Sequence, residues 1–403
     1  MGGVVSVAGR RVAGAAGVGL PLRLLLLNQF GVNLGFYLLV PYLAGHLGGL
    51  GLAAATIGLV LGARTLSQQG LFLVGGTAAD RLGPRPVIIA GCALRTVGFG
   101  LFAVVEGTVG LLSAAVLTGL AGALFNPAVR AYVAAETEPA RRAEAFARFN
   151  VYANAGALSG PLLGAGLLAA GLGFRVVAVS AAAVFAVLTL SQLLALPARP
   201  VANQQTATVW QDWRGVLANR AFVGFTLATA AIFALYSQLY LVVPLAAEQA
   251  TGRPWAAGVV FALATLVGIA GQVRITAWCE SRWSPKRSIA AGLAVMGLAF
   301  VAPALSGHPV AVVVCVLVLS IGYQIAHPFV MQLVPAFAHR DLPGTYYGAF
   351  YLASGVAATL GSAATGWLWD LGARNAYPHM AFMPLILAGL LSALAVIRMR
   401  ALQ

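Results

Sequence analysis

The chain has 403 residues, of which 60% are hydrophobic and only 8% charged, too few polar side chains to clothe an ordinary soluble domain. A polytopic membrane protein is what remains. Its formal charge of +14, from 24 basic and 10 acidic residues, would point to nucleic acid on a soluble protein; here the basic residues punctuate long apolar runs, so topology explains them and no nucleic acid is expected.

Arg10 and Arg11 precede the first apolar run, which continues too far for a signal peptide. The opening MGGVVS fits a myristoylation pattern only through Gly2 and Ser6 and is set aside. Apolar runs follow at 20–47, 53–76, 86–105, 109–134, 146–171, 174–196, 219–247, 255–279, 287–306, 309–337, 343–369 and 376–398. Each is long enough, at about 1.5 Å per residue, to cross roughly 30 Å of hydrocarbon. Twelve spans are therefore expected. With the N-terminus placed in the cytoplasm, the segments on that side hold eighteen Arg and Lys residues, while the other side holds only Arg175, Arg253 and Arg374. The bias sets the orientation and puts both termini of this inner-membrane, multi-pass protein in the cytoplasm.

Between the second and third runs lies a polar knot at 75–87, GGTAADRLGPRPV, which reads as a tight interfacial turn. A topological marker needs only its arginines. The longest polar link, 197–218, contains ANQQTATVWQDWRG and is expected to be a cytoplasmic linker with a short interfacial helix, dividing a six-helix unit at 1–196 from another at 219–403. The two units align: RLGPRPVIIAG at 81–91 falls on RWSPKRSIAAG at 282–292 with an offset of 201 residues. The same offset carries Asn126-Pro127 onto His327-Pro328, Phe149 onto Phe350 and Gly160 onto Gly361. Six spans being an even number, the copies are parallel repeats related by an axis along the membrane normal.

Two parallel six-helix units with Gly76, Ala79, Asp80, Arg81, Gly83 and Arg85 after the second span resemble the major facilitator superfamily, from whose loop pattern Ala78 and Pro84 depart. The resemblance implies an all-α membrane fold of two pseudo-symmetric six-helix bundles. It implies, too, a conformational latch made by Gly76, Asp80, Arg81, Gly83 and Arg85. In it Asp80 faces the positive end of a helix in the other half and the arginines hold neighbouring helix ends. Gly156, Gly160, Pro161 and Gly164 are similar to the fifth-helix pattern of the superfamily's antiporters, although small residues four apart also serve plain helix packing. GARTLSQQG at 62–70 and FNPAVR at 125–130 are similar to the MdtH-type multidrug exporters of bacteria.

The resemblance implies a central cavity, and the candidates to line it are Asn28, Gln29, Asn33, Tyr37, Arg64, Gln68, Asn126, Asn150, Asn154, Tyr236, Gln238, Tyr240, Tyr323, Gln324, His327, Tyr347 and Tyr351. Such an aromatic and amide wall suits a mostly neutral or amphipathic small molecule. Arg64 either meets a substrate carboxylate or phosphate or holds helix ends; Arg95 is read as structural and Arg274 as snorkelling. Proton antiport is the usual coupling of similar exporters. Yet Val116, Asn28 and Asn126 stand where those proteins carry an arginine and acids, and asparagine does not titrate. His327 is the protonation candidate, the alternative being a neutral histidine in the wall.

Cys92, Cys279 and Cys315 lack metal spacing, no GxxxxGK[ST] surrounds Lys286, and no HExxH or GxSxG nucleophile occurs. No cofactor, metal or enzymatic activity is expected. The expected partners are the bilayer, a small-molecule substrate and, with coupling, protons, and the chain is expected to act as a monomer. The function implied is export of drug-like or natural-product molecules by alternating access. A uniporter or importer of a small metabolite on the same fold is the alternative, and a non-transporting receptor a remote one.

Overall fold

A computed structural model describes residues 20–137, 142–197, 216, 218–337, 343–375, 377 and 379–399, without the side chain of Asp80. Most of the expected linker at 197–218, with its interfacial helix, lies outside the described residues. Among those described, the chain is helical with no strand. The first half runs α1 (Leu20–Gly49), α2 (Ala54–Gly70), α3 (Phe72–Leu82), α4 (Pro84–Leu101), α5 (Thr108–Glu136), α6 (Arg142–Ala169) and α7 (Gly173–Ala195). The second begins with α8 (Arg220–Thr229), α9 (Ala231–Tyr236), a 3₁₀ turn over Ser237–Tyr240 and α10 (Val242–Thr251). It continues through α11 (Ala256–Arg282), α12 (Pro285–Leu298), α13 (Val301–Leu305), α14 (Pro309–Leu333), α15 (Pro343–Arg374) and α16 (Met383–Arg398).

Helices occupy all twelve stretches expected to span, but only eight stretches among the described residues are long and apolar enough to cross a membrane by length and composition alone. Three expectations change. The second span breaks at Leu71, and the polar knot is not a loop: 75–82 completes α3, and the turn is Gly83 alone, at φ 85°. That backbone region suits glycine, because a Cβ there would clash. Pro84 then starts α4, where its missing N–H costs nothing. The seventh span is also interrupted, by the 3₁₀ turn and by Leu241 at φ −124°, ψ −86°.

Two apolar cores form, one almost wholly from residues 25–196 and the other from 216–396. The pseudo-twofold relation is visible at their edges. Arg85 donates from Nε to the Leu196 carbonyl (2.6 Å) and from an Nη to that of Leu193 (2.9 Å), closing the end of α7. Lys286, 201 residues on, donates to the Met399 carbonyl beyond α16 at 2.6 Å. Cations thus meet the negative ends of two equivalent helices. We call this the basic end of the molecule.

The halves touch along two equivalent seams, α2 against α15 and α6 against α11, which the 201-residue repeat exchanges. At the end opposite the basic one, Asp370 of α15 caps α2: the amides of Ala54 and Ala55 donate to its Oδ1 and Oδ2 at 2.9 and 3.0 Å. Nearby, the Tyr42 hydroxyl of α1 donates to the Pro161 carbonyl of α6, close beside Gly258 of α11. The α2–α15 seam continues through the Thr359 hydroxyl, which donates to the Gly62 carbonyl at 2.9 Å, to Phe72 and Tyr351, whose rings lie 5.5 Å apart.

Gly156, Gly160 and Gly164 face α1. A Cβ on Gly160 would lie 2.7 Å from the Leu34 carbonyl oxygen and 2.9 Å from the Leu38 nitrogen, and the other two glycines meet Phe30 and Tyr42 as closely. The motif therefore brings two backbones together, the packing use of small residues in membranes.

Candidate substrate cavity

Two adjoining cavities lie between the halves. The larger, about 310 Å³, is walled from the first half by Gln29, Asn33, Arg64, Gln68, Arg95 and Asn126, and from the second by Phe233 and Ser237. A smaller one, about 180 Å³, has Asn154 of α6 facing Thr265, Gln272, Gln324 and His327. Tyr37, Tyr236, Tyr240 and Tyr323 border both. The larger volume lies at the lower end of small-molecule sites.

The local fold explains the wall. Tyr236, Ser237 and Tyr240 reach the cavity from the 3₁₀ turn and the residue before it, and irregular backbone at membrane depth is tolerated where it lines such a space. Tyr236 stacks on Tyr323 at 4.0 Å between centroids, and Tyr323 stacks in turn on His327 at 4.6 Å, with the Phe233 ring edge-on to the imidazole at 5.9 Å. One turn of α14 separates Tyr323 from His327, as (i, i+4) geometry requires.

Arg64 is 7% exposed. One Nη donates to Gln68 Oε1 at 3.1 Å and the other to Thr65 Oγ1 at 3.4 Å, while Nε has no protein partner. Its guanidinium carbon lies 5.0 Å from the Phe36 ring centroid and 5.8 Å from that of Tyr240, within cation–π range. Arg95, 5% exposed, sits between Phe125 and Phe185 at 5.2 and 5.5 Å and also borders the larger cavity. The structural role expected of Arg95 is thus accompanied by a place in the wall.

Most expected lining residues converge here, but several do not. Asn28 is 3% exposed and its Oδ1 accepts from Ser191 of α7 at 3.4 Å, so it belongs to the α1–α7 contact. Gln238, fully buried, turns back to donate to the Ala234 carbonyl at 2.9 Å. Asn150 is exposed near the start of α6. Tyr347 donates to the Met331 carbonyl at 2.7 Å, and Tyr351 reaches the Met331 sulfur at 3.5 Å; neither is among the residues bordering these two cavities. Arg274 is exposed, with its own α11 carbonyl of Ala270 at 3.4 Å. The Asp80 part of the expected latch lies outside the described side chains.

Sequence reasoning passed over Thr265, Gly268 and Gln272, which border the smaller cavity. Their spacing of three and then four residues marks one helical face, so a signal was present in the eighth span. Phe36 and Phe72 were masked by apolar neighbours.

Residues 25–362 match the family model described as Major Facilitator Superfamily. An uncharacterized MFS-type transporter of Mycobacterium tuberculosis is 43% identical over 385 residues, covering 92% of this chain and 91% of that protein. The multidrug resistance protein MdtH of Salmonella schwarzengrund is 30% identical over 372 residues, covering 92% of each. Among solved structures, a variant of the nucleoside transporter NupG superposes with a TM-score of 0.83 at 16% identity, covering 94% of this chain and 99% of that one. The peptide transporter POT in complex with sulfate gives 0.78 at 18% identity, covering 95% of each.

Proposed function

The chain belongs to the Major Facilitator Superfamily, and from that membership we propose that it exports amphipathic, drug-like molecules by alternating access between its two halves. The observation that carries the reading is a cavity with a wall from each half, beside seams that meet at the Asp370 end. A wall shared in this way is rebuilt whenever the halves rock, as transport requires. With the basic end toward the cytoplasm on the positive-inside argument and the Asp370 cap joining the halves at the other end, we read this conformation as inward-facing. Export and a drug-like substrate rest on the likeness to MdtH along nearly the whole chain. The halves are assigned to 1–196 and 219–403, joined by 197–218, within one working chain.

Coupling to protons is the finer part of the proposal. His327, held in the aromatic stack at the smaller cavity, is the proton carrier this reading assigns. The test is efflux from proteoliposomes under an imposed pH gradient, for wild type and His327→Ala. Proton antiport predicts gradient-driven movement that the substitution removes. Downhill flux indifferent to both gradient and substitution would instead identify a uniporter, a reading favoured by the absence of any Asp or Glu among the described residues bordering the cavities.

A further inference from the structure

Arg64 is a buried cation without a matching anion. Of the ten acidic residues of the sequence, those described lie at or near helix ends or between helices, and none of the described ones borders either cavity. A guanidinium stays protonated at any physiological pH, and a charge taken out of water carries a desolvation cost of several kcal/mol unless it is paired. Rings of Phe36 and Tyr240 and one carboxamide offset part of that cost. What they leave is an Nε–H with no partner, on a side chain 7% exposed that borders a cavity of about 310 Å³. A second arginine, Arg95, adds positive charge to the same wall.

Two further groups narrow the ligand. Gln29 and Gln69 each keep a buried side-chain oxygen without a protein donor, and both border the same cavity. A ligand that satisfies this wall carries an anion for Arg64, an aromatic body for the tyrosines, and a hydroxyl or amide hydrogen for a glutamine. We infer that Arg64 is the headgroup site for an organic anion, a carboxylate on an aromatic framework. The inference rests on the cavity being the transport site, and it narrows the expected neutral or amphipathic substrate to an anionic amphiphile.

The test is equilibrium binding to the purified full-length protein at neutral pH, with naphthalene carboxylate, its carboxamide and inorganic phosphate as probes. The two aromatic probes share ring and shape and differ in charge, the carboxamide carrying an N–H2 donor where the carboxylate has a second oxygen, and phosphate carries charge without the ring. Wild type is expected to bind the carboxylate about tenfold more tightly than the carboxamide, the scale of one charge-assisted hydrogen-bond pair, and phosphate more weakly than the carboxylate. Arg64→Gln should bring the carboxylate down to the carboxamide level, and Arg64→Lys should keep part of the preference, because it retains charge but not the planar fork. Equal wild-type affinities, binding of neither aromatic probe, phosphate binding as tight as the carboxylate, or a preference that survives in Arg64→Gln each overturns the inference. The wild-type comparison decides even if no variant folds. Binding is read without transport, so a probe that binds but never crosses the bilayer would leave this site standing and count against the export reading.

Discussion

The side chains that matter most sit where an apolar helix meets the other half. Tyr236 and Tyr323 stack at 4.0 Å on the cavity wall, whereas Gln238, two positions along, is fully buried within the second half. Tyr236→Ala is therefore expected to weaken binding of an aromatic probe about tenfold, the loss of one stacked ring with its buried area. Gln238→Leu should leave the affinity within about twofold, since that amide touches no ligand space. Fluorescence titration checks both, and a larger loss for Gln238→Leu than for Tyr236→Ala would contradict the assignment. The error over Gln238 has a physical origin. At 3.6 residues per turn, positions two apart lie about 200° apart around a helix, so Gln238 faces away from the side that carries Tyr236 and Tyr240 to the cavity. Asn28 was misplaced for another reason: α1 is apolar all round, so its pattern carries no signal of which face meets the cavity.

At the scale of elements, the proposed alternation turns on contacts at helix ends. Asp370 capping α2 is a charge placed on a positive helix end across the seam between the halves, worth about 1–2 kcal/mol in a partly buried site. Asp370→Asn should weaken closure at that end by about tenfold in the conformational equilibrium. The latch that the family resemblance implies for Asp80 at the basic end predicts that Asp80→Asn shifts the protein the opposite way, toward the inward-facing state. Spin-label distances across the Asp370 end read both: shifts of the same sign would refute the paired latches. Close packing gives a third outcome. Gly160→Val places side-chain atoms against the α1 backbone and should cost about 1–3 kcal/mol as overpacking, seen as a lower unfolding temperature. The repeat that pairs Arg85 with Lys286 is legible in sequence because a turn needs few residues in fixed order. The break at Leu71 is less so: Gln68, Gln69 and Gly70 precede it, but an isolated glycine inside a helical run is often tolerated without ending it.

For the whole molecule, the fold was the most legible feature, since bilayer thickness and charge asymmetry leave few alternatives. That the α2–α15 and α6–α11 seams are equivalent follows once the offset of 201 residues is recognised. The central claim is that one cavity is reached in turn from the two sides of the membrane. Cys92, Cys279 and Cys315 are buried, so replacing them with alanine leaves a background in which Asn154→Cys, on the wall of the smaller cavity, reports access alone. A membrane-impermeant maleimide applied to vesicles of each orientation should label it from the cytoplasmic side in the Asp370 parent, and increasingly from the opposite side in Asp370→Asn. Labelling confined to one side in both proteins would contradict alternating access through this cavity.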